Sequence, residues 1–170
     1  MGYTTYFNGA FEFNKPVSDG LKEYINKFSS TRRMLRDNNK IKEIFPNWEK
    51  LCFNGELGRD GEYFVNDDGY FGQTNDGSIV DYNKSGNQPS LWCQWIINDN
   101  DELVWDEGEK FYNYIEWLEY LIEHFFAPSG YVLNGTVFYD GEDSNDFGKI
   151  IVTDNVVRVA YGHRVYEEVC

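Results

Sequence analysis

Leu91-Trp-Cys-Gln-Trp-Ile-Ile97, Asn98-Asp-Asn-Asp101 and Glu102-Leu-Val-Trp105 follow one another without a break. An aromatic and β-branched run, four turn-forming residues and a second apolar run read as two antiparallel strands joined by a tight turn. The pairing brings Trp92 close to Trp105. Immediately afterwards the apolar period changes. Phe111, Ile115, Leu118, Ile122 and Phe125 fall on one helical stripe, Tyr114 and Leu121 lie beside it, and Glu116, Glu119 and Glu123 lie elsewhere. This spacing predicts a helix over 109–126, opened by Asp106, Glu107 and Glu109, whose charge suits a helix N-terminus, and stopped by Pro128 and Gly130. A hairpin running straight into an amphipathic helix indicates an antiparallel sheet with helices laid on it.

The segments on either side agree. Downstream, 131–139, 148–153 and 156–161 read as strands, the last two joined by Asp154-Asn155, both tolerant of positive φ. Upstream, residues 3–13 read as a first strand, with a bulge expected at Gly9. Ser18 and Asp19 are N-cap candidates for a helix carrying Leu21, Tyr24, Ile25 and Phe28 on one face, extending to Asp37 and placing Arg32, Arg33 and Arg36 near its C-terminal end. A short helix follows at 40–45 or 46–52. Between 54 and 90, seven glycines and many Asn/Asp interrupt every apolar run except 62–65 and 78–82. A loop of that length inside a compact domain tends to be a binding element or a mobile segment. The fold class is α+β: a mainly antiparallel sheet of five to six strands with two principal helices on one face, in the order β-α-β-β-α-β-β-β. At 170 residues the chain suits a single domain, 1–170.

Charge is distributed unevenly. Residues 1–60 carry ten Lys/Arg against eight Asp/Glu, whereas 61–170 carry five against twenty-one, within a total of −14. Such a surface favours basic proteins or cations and disfavours direct contact with nucleic acid or anionic membrane. Cys52, Cys93 and Cys170 are odd in number and widely spaced, which argues against a disulfide framework and a structural zinc and suits a reducing cytoplasm. No window has the apolar length of a membrane span, and no basic region followed by an apolar run opens the chain.

Chemistry-bearing motifs are sparse. The two histidines, His124 and His163, lie near a helix end and in the tail, and no nucleophile elbow, phosphate loop or H-E-x-x-H is present. No catalytic residue and no cofactor are indicated. Carboxylates cluster at Asp99, Asp101, Glu102, Asp106, Glu107 and Glu109 and again at Asp140, Glu142, Asp143 and Asp146. The commonest duty of such acids is solvation and capping; partner recognition, hard-cation binding and glycosidase-type acid/base work are the alternatives. A calcium loop started at Asp140 puts Asn145 where glycine is wanted and Ile151 where the bidentate Glu is wanted, so no metal set is assigned. The basic run Thr31-Arg-Arg-Met-Leu-Arg36 either pairs internally with those carboxylates or forms an anion or nucleotide pocket with Trp92, Trp95 or Trp105.

Met1-Gly-Tyr-Thr-Thr5, Thr31-Arg-Arg-Met34, Leu91-Trp-Cys-Gln-Trp95, Trp105-Asp-Glu-Gly-Glu-Lys-Phe-Tyr112 and Gly130-Tyr-Val-Leu-Asn-Gly135 together resemble a family of small uncharacterised cytoplasmic proteins of bacteria and their phages. The resemblance covers nearly the whole chain. It implies a phage or mobile-element setting and carries no activity or catalytic residue with it. The expected function is a non-enzymatic acidic interaction protein that occupies a basic host or defence protein by imitating nucleic acid. Its acidic face comprises Asp99, Asp101, Asp106, Glu107, Glu109, Asp140, Glu142, Asp143 and Asp146. A small-ligand binder built on Arg32, Arg33, Arg36, Trp92, Trp95 and Trp105, or a divalent-cation module, are the alternatives.

Overall fold

A computed structural model describes residues 2–66 and 68–170. Six strands form one antiparallel sheet: β1 (Thr5–Phe13), β4 (Trp95–Ile97), β5 (Glu102–Trp105), β6 (Leu133–Gly141), β7 (Phe147–Thr153) and β8 (Val156–Tyr161), in the spatial order β4-β5-β1-β6-β7-β8. Three hairpins supply most of that order, and the first strand inserts between β5 and β6. A separate two-stranded ribbon pairs β2 (Leu35–Arg36) with β3 (Ile79–Asp81). The sheet carries α1 (Asp19–Ser29) and α3 (Tyr114–Leu121) on one face; a short α2 (Asn38–Ile44) lies between β2 and β3 in the chain.

Alternation explains the core. Phe11, Trp95, Ile97, Leu103, Val137, Tyr139, Ile150 and Val152 turn inward from the sheet to meet Leu21, Ile25 and Phe28 of α1 and Trp117, Leu118 and Leu121 of α3. Ser18 caps α1, its hydroxyl accepting the Leu21 N–H at 3.2 Å. Ile41, Cys52, Leu57 and Phe64 form a second, smaller cluster beneath α2. Among the described residues no helix is long and apolar enough to cross a membrane.

Four local expectations are corrected. First, α1 stops at Ser29 rather than reaching Asp37. The N–H groups of Arg32, Arg33, Leu35 and Asp37 bond instead to the carbonyls of Phe71, Leu91, Lys84 and Ser78, so the long loop takes the donors that a longer helix would have used. Second, α3 begins at Tyr114 because Lys110 (φ 58°) and Asn113 (φ 56°) are left-handed; it then widens into a π turn over Ile122–Phe126. Third, β1 has no bulge: its pairing with β6 is continuous from Thr5 opposite Gly141 to Phe13 opposite Leu133. Gly9 is needed there for a different reason, since φ is 121° and a Cβ would lie 2.7 Å from the Thr136 carbonyl oxygen. Fourth, the 91–97 strand is regular only over Trp95–Ile97, and the residue opposite Trp105 is Trp95, not Trp92.

The two edges of the sheet differ. At β4, Asn26 of α1 holds both backbone groups of Ile97, its Nδ2 donating to the carbonyl at 3.0 Å and its Oδ1 accepting the N–H at 2.8 Å. The Ser29 hydroxyl donates to the Trp95 carbonyl at 2.5 Å. No described side chain bonds the outward backbone of β8.

Candidate functional site

The acidic residues divide between two ends of the sheet. Asp99 and Asp101 sit in the β4–β5 turn beside the start of α1, where Asp101 accepts the Val17 N–H at 3.0 Å and pairs with Lys22 at 2.5 Å. Hydrogen bonding to Lys22 holds the Asp101 carboxyl below its ordinary value. The Asp101 carboxylate is thus already used inside the molecule. Asp106, Glu107 and Glu109 leave the far end of β5 instead. Antiparallel pairing of Phe11 with Leu103 carries Trp105 toward the start of β1, where its ring meets Tyr6 and Phe7 at centroid distances of 6.0 and 5.4 Å.

The β6–β7 loop arrives at that same end, because Thr5 lies opposite Gly141 and Tyr6 opposite Asp140. Residues 3 and 4 tie the 142–146 loop to Tyr112, three residues beyond Glu109. The Tyr3 N–H donates to the Tyr112 hydroxyl at 3.2 Å, while the Tyr3 hydroxyl donates to Asp146 at 2.6 Å and accepts the Asp143 N–H at 3.1 Å. The Thr4 N–H donates to Glu142 at 2.7 Å. The bond to Asp146 raises the Tyr3 pKa, since a phenolate beside that carboxylate is disfavoured. Glu142 and Asp146 are therefore partly consumed in binding the N-terminal strap. Glu107, Glu109 and Asp140 make no side-chain hydrogen bond or ion pair among the described residues and project from the acidic end.

Tyr6 and Phe138 stand beside them on the face of the sheet that carries no helix. Tyr6 is opposite Asp140, and Phe138 is two residues from Asp140 on the same strand. Both are large apolar side chains left open to solvent, at 61% and 56% exposure. Alternation in β1 and β6 could have revealed them, because Phe7, Phe11, Val137 and Tyr139 take the inward positions and leave Tyr6 and Phe138 outward.

The arginines and tryptophans do not share a pocket. Arg33 is buried, its guanidinium 4.0 Å above the Phe28 ring, with Nη2 donating to the Glu62 carbonyl at 2.8 Å and Nη1 unpartnered. Burial lowers its pKa to about 10. Arg36 is also buried, over Phe64, and bonds Asp76 at 3.0 Å, Ser78 at 2.7 Å and the Gly72 carbonyl at 3.3 Å. Arg32 lies on Tyr82 and bonds its carbonyl at 3.1 Å. All three thus organise the 54–90 loop, and of the carboxylates the run was expected to pair with, none is its partner. Trp95 is in the core, donating to the Tyr114 carbonyl at 2.9 Å; Trp105 donates to the Gly108 carbonyl at 3.1 Å; Trp92 is half-buried against Phe71.

Sequence reasoning missed a polar network around His124. Its Nδ1 shares a 2.7 Å hydrogen bond with the Tyr63 hydroxyl, its ring stacks on Tyr120 at 4.0 Å, and Tyr120 donates to Glu62 at 3.1 Å. Burial pushes Tyr63 up to about 12, so its hydroxyl keeps the proton at neutral pH. A half-open cavity of about 640 Å³ beside α1 is floored by Leu21, Tyr24, Cys52, Phe53 and Val65. Burial raises the Cys52 thiol, which keeps it in the poorly nucleophilic protonated form. Among the described residues no three His, Cys, Asp or Glu side chains converge as a metal-ligand set. No family model, curated protein or solved structure matches the chain.

Proposed function

We propose that this chain is a non-enzymatic interaction protein that docks the acidic end of its sheet on a basic protein surface. The observation that carries this reading is the arrival of two acidic loops, 106–109 and 140–146, at one end of the sheet beside exposed Tyr6 and Phe138. Aromatic anchors inside a charged rim have the anatomy of a protein interface. A partner arginine stacks on Tyr6 or Phe138 while its fork pairs with Asp140, and Glu107 and Glu109 supply further charge. The negative field of the whole molecule raises the encounter rate with such a surface. A protein surface built to hold phosphates offers the same arginines and lysines, so nucleic acid and this chain compete for it.

The test uses a fluorescent arginine-rich peptide as the probe, titrated at low and moderate salt. The triple variant Glu107→Gln, Glu109→Gln, Asp140→Asn is compared with Glu116→Gln, Glu119→Gln, Glu123→Gln on the outer side of α3 and its π turn, which removes the same charge. The loop variant should bind about tenfold more weakly, roughly 1.4 kcal/mol, with the α3 variant close to the parent. Equal losses in both variants would mean that net charge alone draws the peptide, and the assigned face would be withdrawn.

A further inference from the structure

The unprotected edge of the sheet carries a second assignment, independent of the acidic end. Natural sheets block their edges against stray pairing. The β4 edge is blocked here by Asn26 and Ser29, which hold the Ile97 N–H and carbonyl and the Trp95 carbonyl. No described residue blocks the β8 edge in that way. Its sequence, Val156-Val-Arg-Val-Ala-Tyr161, has no proline and no bulge in its pairing with β7, and Tyr161 is 82% exposed. Beyond it, Val165, Tyr166 and Val169 are exposed as well, flanking two acids, Glu167 and Glu168.

We propose that β8 pairs with a second copy of this chain, the β8 edge of each copy accepting residues 163–168 of the other in one antiparallel ladder. With the ladder set in that way, the sequence favours a second copy over a foreign strand on three grounds. The ladder is two-fold about Gly162, which continues the sheet by donating to the Phe147 carbonyl at 2.8 Å and brings no side chain to the axis. In that register Val159 meets Val165 of the other copy, extending the core that Val157 and Val159 already border. Arg158 meets Tyr166 and lies diagonal to Glu168, a stacking and charge match. Of the five basic residues in 61–170, Lys149 and Arg158 stand on β7 and β8, whereas the tail supplies Glu167 and Glu168, its own Arg164 being held by the Ser144 carbonyl at 3.0 Å. Identical surfaces meeting across a two-fold axis close at two copies and leave no free edge to propagate.

Sedimentation of the full chain from roughly 1 to 200 µM tests this, since mass action then sets the dimer fraction. The mass should rise from 19.9 kDa toward twice that value. Because each copy carries −14, the dimer should tighten as salt screens the repulsion. Val165→Pro, at an exposed position outside the core, should restore the monomer while keeping the melting temperature that the parent shows at the dilute end of the range, where it too is monomeric. In a Cys170→Ser background, Val159→Cys with Val165→Cys should give an intermolecular disulfide under mild oxidation, which reports the register directly. A chain that stays monomeric over the whole range would overturn the assignment and leave the edge to a foreign strand. A dimer that survives Val165→Pro would overturn it in favour of another surface.

Discussion

Arg36 and Asp76 show how far single side chains determine this fold. The guanidinium is buried, and its ion pair with Asp76 is joined by Ser78, which donates both its N–H and its hydroxyl to that carboxylate. Burial by itself would raise the Asp76 pKa; the Ser78 bonds and the Arg36 charge outweigh it, and the net shift is downward. A carboxyl depressed in the folded state stabilises above its unfolded pKa and loses that contribution as pH falls through the folded value. Asp68, which accepts the N–H groups of Tyr70, Gly72 and Thr74, is lowered as well. Acid unfolding should therefore begin below about pH 4, where both groups take up protons. Asp76→Asn should cost about 3–5 kcal/mol at neutral pH by leaving Arg36 buried without its counter-charge. Melting curves from pH 3 to 7 check both statements: the variant should lose stability at neutral pH and show a shallower acid limb. The sequence exposed the arginine run as the chain's basic patch, but not its partners, because Glu62, Gly72 and Asp76 lie some thirty to forty residues away. A local pattern of charge says nothing about which distant carbonyls a loop will bring to it.

At the level of elements, strands were more legible than helix ends. Strand alternation and the turn residues Asp154 and Asn155, both at positive φ, are local signals, and the three C-terminal strands follow them. Helix ends depend on where backbone donors find acceptors. Residues 32–37 look helical by composition, yet the N–H groups of Arg32, Arg33, Leu35 and Asp37 are claimed by the 71–91 segment. The protected β4 edge is similarly invisible in sequence, since Asn26 differs in no local respect from a solvated helix residue. Asn26→Ala should leave the Ile97 N–H and carbonyl without partners, at about 1–3 kcal/mol for each group that remains dry. Asn26→Asp keeps an acceptor for the N–H but loses the donor to the carbonyl, so it should recover only part of the loss. Chemical denaturation of the three proteins orders them; equal stability of all three would show that water replaces the clamp at no cost.

For the molecule as a whole, charge was legible in amount and not in arrangement. Composition gave −14, but only the topology splits the Asp99–Asp101 turn from the 106–109 loop and brings the latter to the same end of the sheet as 140–146, where Tyr3 bonds both Tyr112 and Asp146. A net charge of this size strains the compact state through self-repulsion, and added salt relieves it. Raising sodium chloride from roughly 20 to 500 mM shortens the screening length from about 20 Å to about 4 Å, which should lift the melting temperature by about 2–4 °C if the relief is near 1 kcal/mol. The same experiment separates diffuse charge from a bound cation. At matched ionic strength, calcium or magnesium chloride should give the same melting temperature as sodium chloride, because Glu142 and Asp146 are occupied by the N-terminal strap and Asp101 by Lys22. A specific site would instead add a term that grows with the logarithm of divalent concentration once it exceeds the dissociation constant. An excess shift at millimolar calcium, reversed by EDTA, would make the carboxylate loops a metal site and displace the protein partner as their explanation. A matched response would leave the loops as surface charge directed outward, available to a basic partner.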